Sequence, residues 1–203
     1  MLLFLDVVSP IPEFFIIEDN KVILKRKIIS NDSEKLSDNI FPVYINSTKH
    51  LNLSKNLKKI AITTGPGSYT SLRVGAAFLA ALKISKDLSF CPISAEDILK
   101  FKLQNFKFNE IAVFISSANN QKFLCTLDNN KKIEYVKLEN DKLNLNRRIT
   151  TVFYNNKKLE CDNNVNNISF SFIDELLLNY TNLNFVKKTS IKPIYISNNN
   201  ILN

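Results

Sequence analysis

The chain has 203 residues, 45% of them apolar and only three of them glycine, which is enough to bury the core of one large lobe or two small ones. A formal charge of +8 would suit an acidic or nucleic-acid partner, but Lys, Asn, Ile and Phe are abundant everywhere, as an A+T-rich coding sequence gives, and the lysines never run longer than two. Cys91, Cys125 and Cys161 form no CxxC pair, against a disulfide framework or a zinc knuckle, and the apolar opening Met1 to Leu5 meets Asp6 too soon for a signal peptide or a membrane span, so a cytoplasmic location is expected.

Leu2 to Val8, Glu13 to Glu18 and Val22 to Ile29 read as a three-strand meander with turns at Ser9-Pro10 and Asp19-Asn20. Ser37-Asp38-Asn39 has a helix-start composition. Ile40, Phe41, Tyr44 and Ile45 follow at helical spacing, with Pro42 in the early turns, where proline costs least. Lys58-Lys59 leads into Ile60 to Thr64, a buried-type strand that ends on Gly65-Pro66-Gly67. From Tyr69 to Ile84, Leu72, Ala76, Leu79, Ala80 and Leu82 recur at helical spacing, with Ser68 or Thr70 as N-cap. Ser94-Ala95-Glu96-Asp97 is a near capping box before Ile98, Leu99, Phe101 and Leu103.

Ile111 to Ser116, Lys122 to Leu127 and Ile133 to Leu138 then repeat the meander, with turns at Ala118-Asn119-Asn120 and Asp128-Asn129-Asn130. A strand at Thr151 to Tyr154 and a helix from Phe172 to Tyr180 follow, separated by the Asn-rich stretch Asp162 to Asn167. The element order of the first half thus returns in reduced form, which points to a duplicated α/β lobe. The expected division is a first lobe over 1–105 and a smaller second lobe over 106–203, the last segment packing back on the first.

The segment from Gly65 to Gly75 concentrates all three glycines. It is no Walker phosphate loop, because no Lys-Ser/Thr pair follows the glycines, and its spacing is not that of a dinucleotide fingerprint. What remains from the residues alone is a tight strand-to-helix turn.

Gly65, Pro66, Gly67, Ser68, Tyr69, Thr70, Ser71, Leu72, Arg73, Val74 and Gly75 closely resemble the GPGSFTGLRIG signature of the TsaB (YeaZ) family, with Tyr69 for Phe, Ser71 for Gly and Val74 for Ile. Ser37 to Pro42 is similar to that family's HSExLLP helix start, Leu53 to Leu57 to its Leu-Ser-x-x-Leu turn, Ile93 to Leu99 to its VSSLEAL segment, and Lys192 to Ile196 to its closing strand. The resemblance implies an actin-like ATPase fold (ASKHA, ribonuclease H-like) with duplicated lobes, the second reduced. It also implies a non-catalytic partner of the TsaD-type subunit in threonylcarbamoyladenosine modification of tRNA, joined by a TsaE-type ATPase.

Several departures bear on chemistry. The first strand ends Leu5-Asp6-Val7-Val8-Ser9 where the family has LDTS, so the loop that faces phosphates in actin-like ATPases lacks Gly and the early hydroxyl. Ser116 to Gln121 stands where the family has Asp-Ala-Arg-Arg-Gly-Glu. The metal-binding histidines that the resemblance places on the first helix of TsaD-type relatives are here Leu36 and Ile40, and His50 is the chain's one histidine, near a helix end. Asp6, Asp38 and Asp97 are dispersed and read as turn or cap residues. No catalytic residue, metal or cofactor is assigned. The alternatives are an actin-like ATP-dependent enzyme with an unrecognised site and a basic RNA-binding accessory protein.

Small residues at Gly75, Ala76, Ala77, Ala80 and Ala81 would let another helix approach closely. With the resemblance, this assigns the partner interface to Ile40, Tyr44, Leu72, Gly75, Ala76, Leu79 and Ala80. The same face would serve a homodimer when the chain is alone, with tRNA contacted indirectly.

Overall fold

Leu2–Asp6 forms β1, apolar throughout because both of its faces are covered. In this computed structural model the described residues are 1–31, 33–51, 53–84, 87–107, 109–128, 130–139, 148–160, 164–187 and 192–196. Cys161, Asn129 of the predicted turn, and Asp162 and Asn163 of the Asn-rich stretch lie outside them. Glu13–Glu18 (β2) and Lys21–Lys27 (β3) run antiparallel in the sheet, and the turn between them places Asp19 and Asn20 at φ of 49° and 59°, the left-handed pair a two-residue hairpin requires.

Leu36–Thr48 (α1) begins one residue ahead of the predicted Ser37, after Lys35, whose side chain makes no cap bond. Pro42 lies midway along this helix rather than in its early turns, and it is exposed. Leu53–Asn56 (α2) is a short turn of helix before Lys59–Gly65 (β4), which runs parallel to β1. Tyr69–Ile84 (α3) leads to Ser89–Ser94 (β5), parallel to β4. The predicted capping box starts Ala95–Lys102 (α4): the Ser94 amide donates to Asp97 Oδ2 at 2.8 Å, and the Asp97 amide donates to Ser94 Oγ at 3.2 Å.

In the second half Ile111–Ser116 (β6), Lys122–Leu127 (β7), Ile133–Leu138 (β8) and Thr151–Tyr154 (β9) have the predicted bounds. Asn166–Ser169 (β10) was not foreseen, and Phe172–Leu178 (α5) ends short of the predicted Tyr180. The two sheets are ordered β3-β2-β1-β4-β5 and β8-β7-β6-β9-β10 with the same pattern of antiparallel and parallel pairs. The duplication therefore extends to the fifth strand of each lobe.

On the first sheet Phe14 meets Tyr44 of α1, and Leu3, Leu5 and Ile16 share that face, which α1 and α3 cover. The opposite face, with Leu2, Phe4 and Phe15, turns toward α5. α4 packs on β5, β6, β7 and α5, so one apolar core runs from β1 through α4 into β6 and β7. Lys102 of α4 and Glu175 of α5 form an ion pair inside this junction, the Lys102 Nζ lying 5.0 Å from the centre of the Phe153 ring. Val186 pairs with Phe90 on the outer edge of β5, and the Ile194 amide donates to the Thr64 carbonyl at 2.7 Å.

Candidate functional site

The glycine motif sits where the first lobe touches everything around it. Gly65 has φ +111°, and a Cβ there would lie 2.8 Å from the Ile194 carbonyl oxygen, so the turn needs glycine for both conformation and space. Its peptide bond to Pro66 is cis. Gly67 lies against the second lobe, where a Cβ would come within 3.1 Å of Ser117 Oγ. The Ser68 amide donates to that same oxygen at 3.0 Å, and the Ser68 carbonyl starts α3 by accepting from Leu72 at 3.0 Å. Tyr69, Thr70 and Arg73 are exposed. Arg73 donates to the Tyr69 hydroxyl at 3.1 Å and lies 5.0 Å from the ring centre, while Tyr195 takes the ring at 4.7 Å.

The end of β1 faces this turn, and its polar groups are engaged within the chain. Asp6 is buried and accepts from the amides of Val8 and Ser9 at 3.0 and 3.1 Å, from the Ser9 hydroxyl at 2.6 Å and from Thr63 Oγ1 at 3.1 Å. Thr63 Oγ1 in turn accepts from the amides of Val7 and Val8 at 2.9 and 3.2 Å. All three amides of the loop thus point at Asp6 or Thr63, where a phosphate loop would turn them to the ligand. Burial pushes the Asp6 carboxyl above its ordinary range, opposed by the hydrogen bonds it accepts.

The second lobe closes on the same place. Asn155 accepts from the Ser116 amide at 2.8 Å and donates to the Ser116 carbonyl at 3.0 Å and to Ser9 Oγ at 3.4 Å. Asn119 and Asn120 take positive φ of 58° and 55° in the hairpin after β6, the turn that stands in place of the charged family segment.

The predicted interface is corrected in part. Ile40, Tyr44, Leu72 and Leu79 are 4%, 5%, 1% and 0% exposed and belong to the core of the first lobe, Tyr44 standing edge-on to Phe14 and Phe78. Gly75 also faces inward: a Cβ would lie 2.9 Å from a methyl of Val7, so its smallness seats α3 on its own sheet. Helical spacing located these residues on α1 and α3 but assigned them to the wrong side. The outward side carries Phe41 and Ile45 of α1, 58% and 46% exposed, beside Ala77, Ala80 and Ala81 of α3, with Ala76 half-buried between. Phe41 and Ile45 were visible in the helical pattern, where their one-residue offset from Ile40 and Tyr44 gave no sign of which pair faced in.

His50 is exposed beyond the end of α1. Among the described residues no group of three or more His, Cys, Asp or Glu could hold a metal ion. Burial, with Asp97 nearby, pushes the Cys91 thiol up to about 11, and burial raises the Cys125 thiol as well, so neither is an activated nucleophile. No helix of the described residues is long and apolar enough to cross a membrane.

Two lobes of one topology, joined through a shared core and meeting at the ends of β1 and β6, define a protein of the actin-like ATPase type. The family described as TsaD: tRNA N6-adenosine threonylcarbamoyltransferase matches residues 23–186, and the chain belongs to it. Its role therefore lies in the threonylcarbamoyladenosine modification of tRNA. A Pseudomonas aeruginosa structure, an uncharacterized protein with similarity to peptidase YEAZ, superposes with TM-score 0.62 at 13% identity, over 97% of this chain and 99% of that one. YeaZ from Pseudomonas aeruginosa superposes with TM-score 0.59 at 13% identity, over 96% and 99%. Both share the fold along its whole length. No curated protein sequence matches the chain.

Proposed function

We propose that the chain is a non-catalytic scaffold and activator, a TsaB-type subunit that docks a TsaD-type catalytic subunit through the outward side of α1 and α3. The observation that carries this reading is the engagement of the Val7, Val8 and Ser9 amides by Asp6 and Thr63, which leaves the loop no donors for a phosphate. The replacement of both metal-ligand histidines by Leu36 and Ile40 supports it from a second direction. Phe41, Ile45 and the alanines of α3 offer an apolar surface of the kind that a second helix pair would bury.

The subunit would act by binding energy. Docking stabilises the active arrangement of the catalytic subunit only to the extent that its contacts differ between active and inactive forms. Transfer of the threonylcarbamoyl group to an adenosine beside the anticodon belongs to the partner, with a TsaE-type ATPase joining the pair and tRNA reached indirectly. Without the partner the same face pairs two copies of this chain, in the cytoplasm.

Co-expression with the TsaD-type subunit of the same organism tests the proposal, beside Ala80→Arg and Phe41→Asp variants. A complex that co-purifies with the parent chain and is lost in variants of unchanged melting temperature is the expected result. No complex at low or moderate salt overturns it. ATP binding by the isolated chain would then favour an ATP-dependent enzyme, and tRNA binding with a steep salt dependence an RNA-binding accessory protein.

A further inference from the structure

Among the described residues β3 pairs with β2 on one side and with no strand on the other. The opposite edge of the same sheet is treated differently: Val186 exchanges two backbone hydrogen bonds of 2.8 Å with Phe90 of β5. One edge is thus met by the chain itself while the other presents its backbone.

Register says which groups are presented. The Ile28 amide donates to the Pro12 carbonyl at 2.9 Å, so Ile28 points toward β2 and the alternation turns the amides of Lys27 and Lys25 outward. Val22, opposite Ile17, also points outward, on the far side of the bulge at Ile16 and Ile17. The side chains of Val22, Lys25 and Lys27 share the face that borders the cleft between the lobes, a depression of about 670 Å³ that Phe15 and Ile11 also line. An added strand would therefore find hydrogen-bond partners along the edge and a recess beside it for its side chains.

The charge of the strand selects the occupant. Lys21, Lys25, Arg26 and Lys27 and no acidic residue surround the exposed aliphatic side chains of Val22 and Ile23, 39% and 45% exposed. Lysines on an edge strand discourage pairing with like strands, and an antiparallel second copy would here set cation against cation. An acidic strand meets opposite charge at the same positions.

We infer that β3 accepts an extended acidic segment of another polypeptide as an added strand, its backbone on the outward amides of Lys25 and Lys27 and its carboxylates beside Lys21, Arg26 and Lys27. An apolar side chain of that segment fills the recess against Val22 and Phe15. The site lies on the opposite face of the sheet from α1 and α3, so it stands apart from the docking proposed above, and the two can fail separately.

Fluorescence anisotropy of the full chain tests it with a labelled heptapeptide of alternating glutamate and valine, beside a counterpart with lysine for glutamate. The glutamate peptide is expected to bind and the lysine peptide not. Lys27→Pro removes an outward N–H while leaving the ladder to β2, and weakens binding about tenfold. Lys21→Glu combined with Lys27→Glu reverses the preference between the peptides. That pair leaves the backbone of β3 intact and decides the matter if the proline variant does not fold. Absence of binding at millimolar peptide, glutamate-peptide binding unchanged in a folded Lys27→Pro variant, an unreversed preference in the charge variant, or tRNA binding through these lysines without peptide binding would each overturn the inference.

Discussion

The amide of Ser68 donates to the hydroxyl of Ser117 at 3.0 Å, and this bond joins the glycine turn of the first lobe to the hairpin of the second. It continues a chain of contacts that runs from Asp6 through Ser9 and Asn155 to Ser116. In a two-lobed fold that closes on a ligand, these positions would face the ligand from both sides; here short polar side chains span the gap directly. The lobes are held by the protein's own groups, in keeping with a subunit that presents a fixed surface to a partner.

Removing the Ser117 hydroxyl should therefore be felt as a structural loss. In Ser117→Ala the buried Ser68 N–H keeps its place but loses its acceptor, a penalty on the order of 1–3 kcal/mol. Urea denaturation should show the midpoint falling with the slope unchanged. A parent-like midpoint would mean that water or a relaxed turn replaces the bond.

Gly65 makes a sharper test of the motif. Gly65→Ala puts a methyl 2.8 Å from the Ile194 carbonyl and holds an L residue at φ +111°, so about 1–3 kcal/mol of backbone strain is expected in addition to displacement of the 192–196 segment. Hydrogen exchange should then rise at the Ile194 amide, which in the parent donates to the Thr64 carbonyl.

Asp6 sets a dependence on pH whose sign follows from its burial. Its folded-state pKa is raised above the ordinary 3.8, so the unfolded chain gives up this proton first as pH rises. The unfolded state then binds fewer protons than the native one, and stability falls with rising pH between the ordinary and the raised value. The contribution is largest below 3.8 and is lost as pH rises through the folded value. Asp6→Asn should remove this descending component from the difference between the two stability curves. A constant difference across mildly acidic pH would show that the hydrogen bonds from Ser9, Val8 and Thr63 outweigh desolvation.

The sequence made the strand meanders and α3 legible because alternation and helical spacing over a covered sheet leave little choice of element. The fifth strand of each lobe was not legible, and for one reason in both cases. β5 carries Pro92 and β10 opens with Asn166-Asn167, residues that speak against strands, yet both strands lie at sheet edges, where one side need not pair. The interface was misjudged at Ile40, Tyr44, Leu72 and Leu79 because periodicity shows that a helix has an apolar stripe without showing which neighbour covers it. Both α1 and α3 carry apolar side chains on two sides, and only the packing of Tyr44 against Phe14 and Phe78 reveals the inner one. The clasp at Ser117 and Asn155 had no sequence signal, since single serines and asparagines acquire meaning only when the lobes are brought together.

The ion pair of Lys102 and Glu175 gives a test of how the two halves are coupled. The side chains are 18% and 6% exposed, and the pair bridges α4, which ends the first lobe, to α5, which ends the second. Lys102→Met leaves the Glu175 carboxylate in a closed apolar junction without its partner, a loss of about 3–5 kcal/mol. Glu175→Leu alone should cost a similar amount, because the Lys102 ammonium then stands over Phe153 with no carboxylate. Replacing both residues removes the two charges together and restores much of the stability, since a well-packed apolar pair of similar volume is often no worse than a buried ion pair. Denaturation midpoints of the parent, the two single variants and the double variant close the cycle. Additive losses would show that the two groups act independently and that the junction rests on its apolar contacts alone, whereas a double variant more stable than either single one places the coupling of the lobes in this pair.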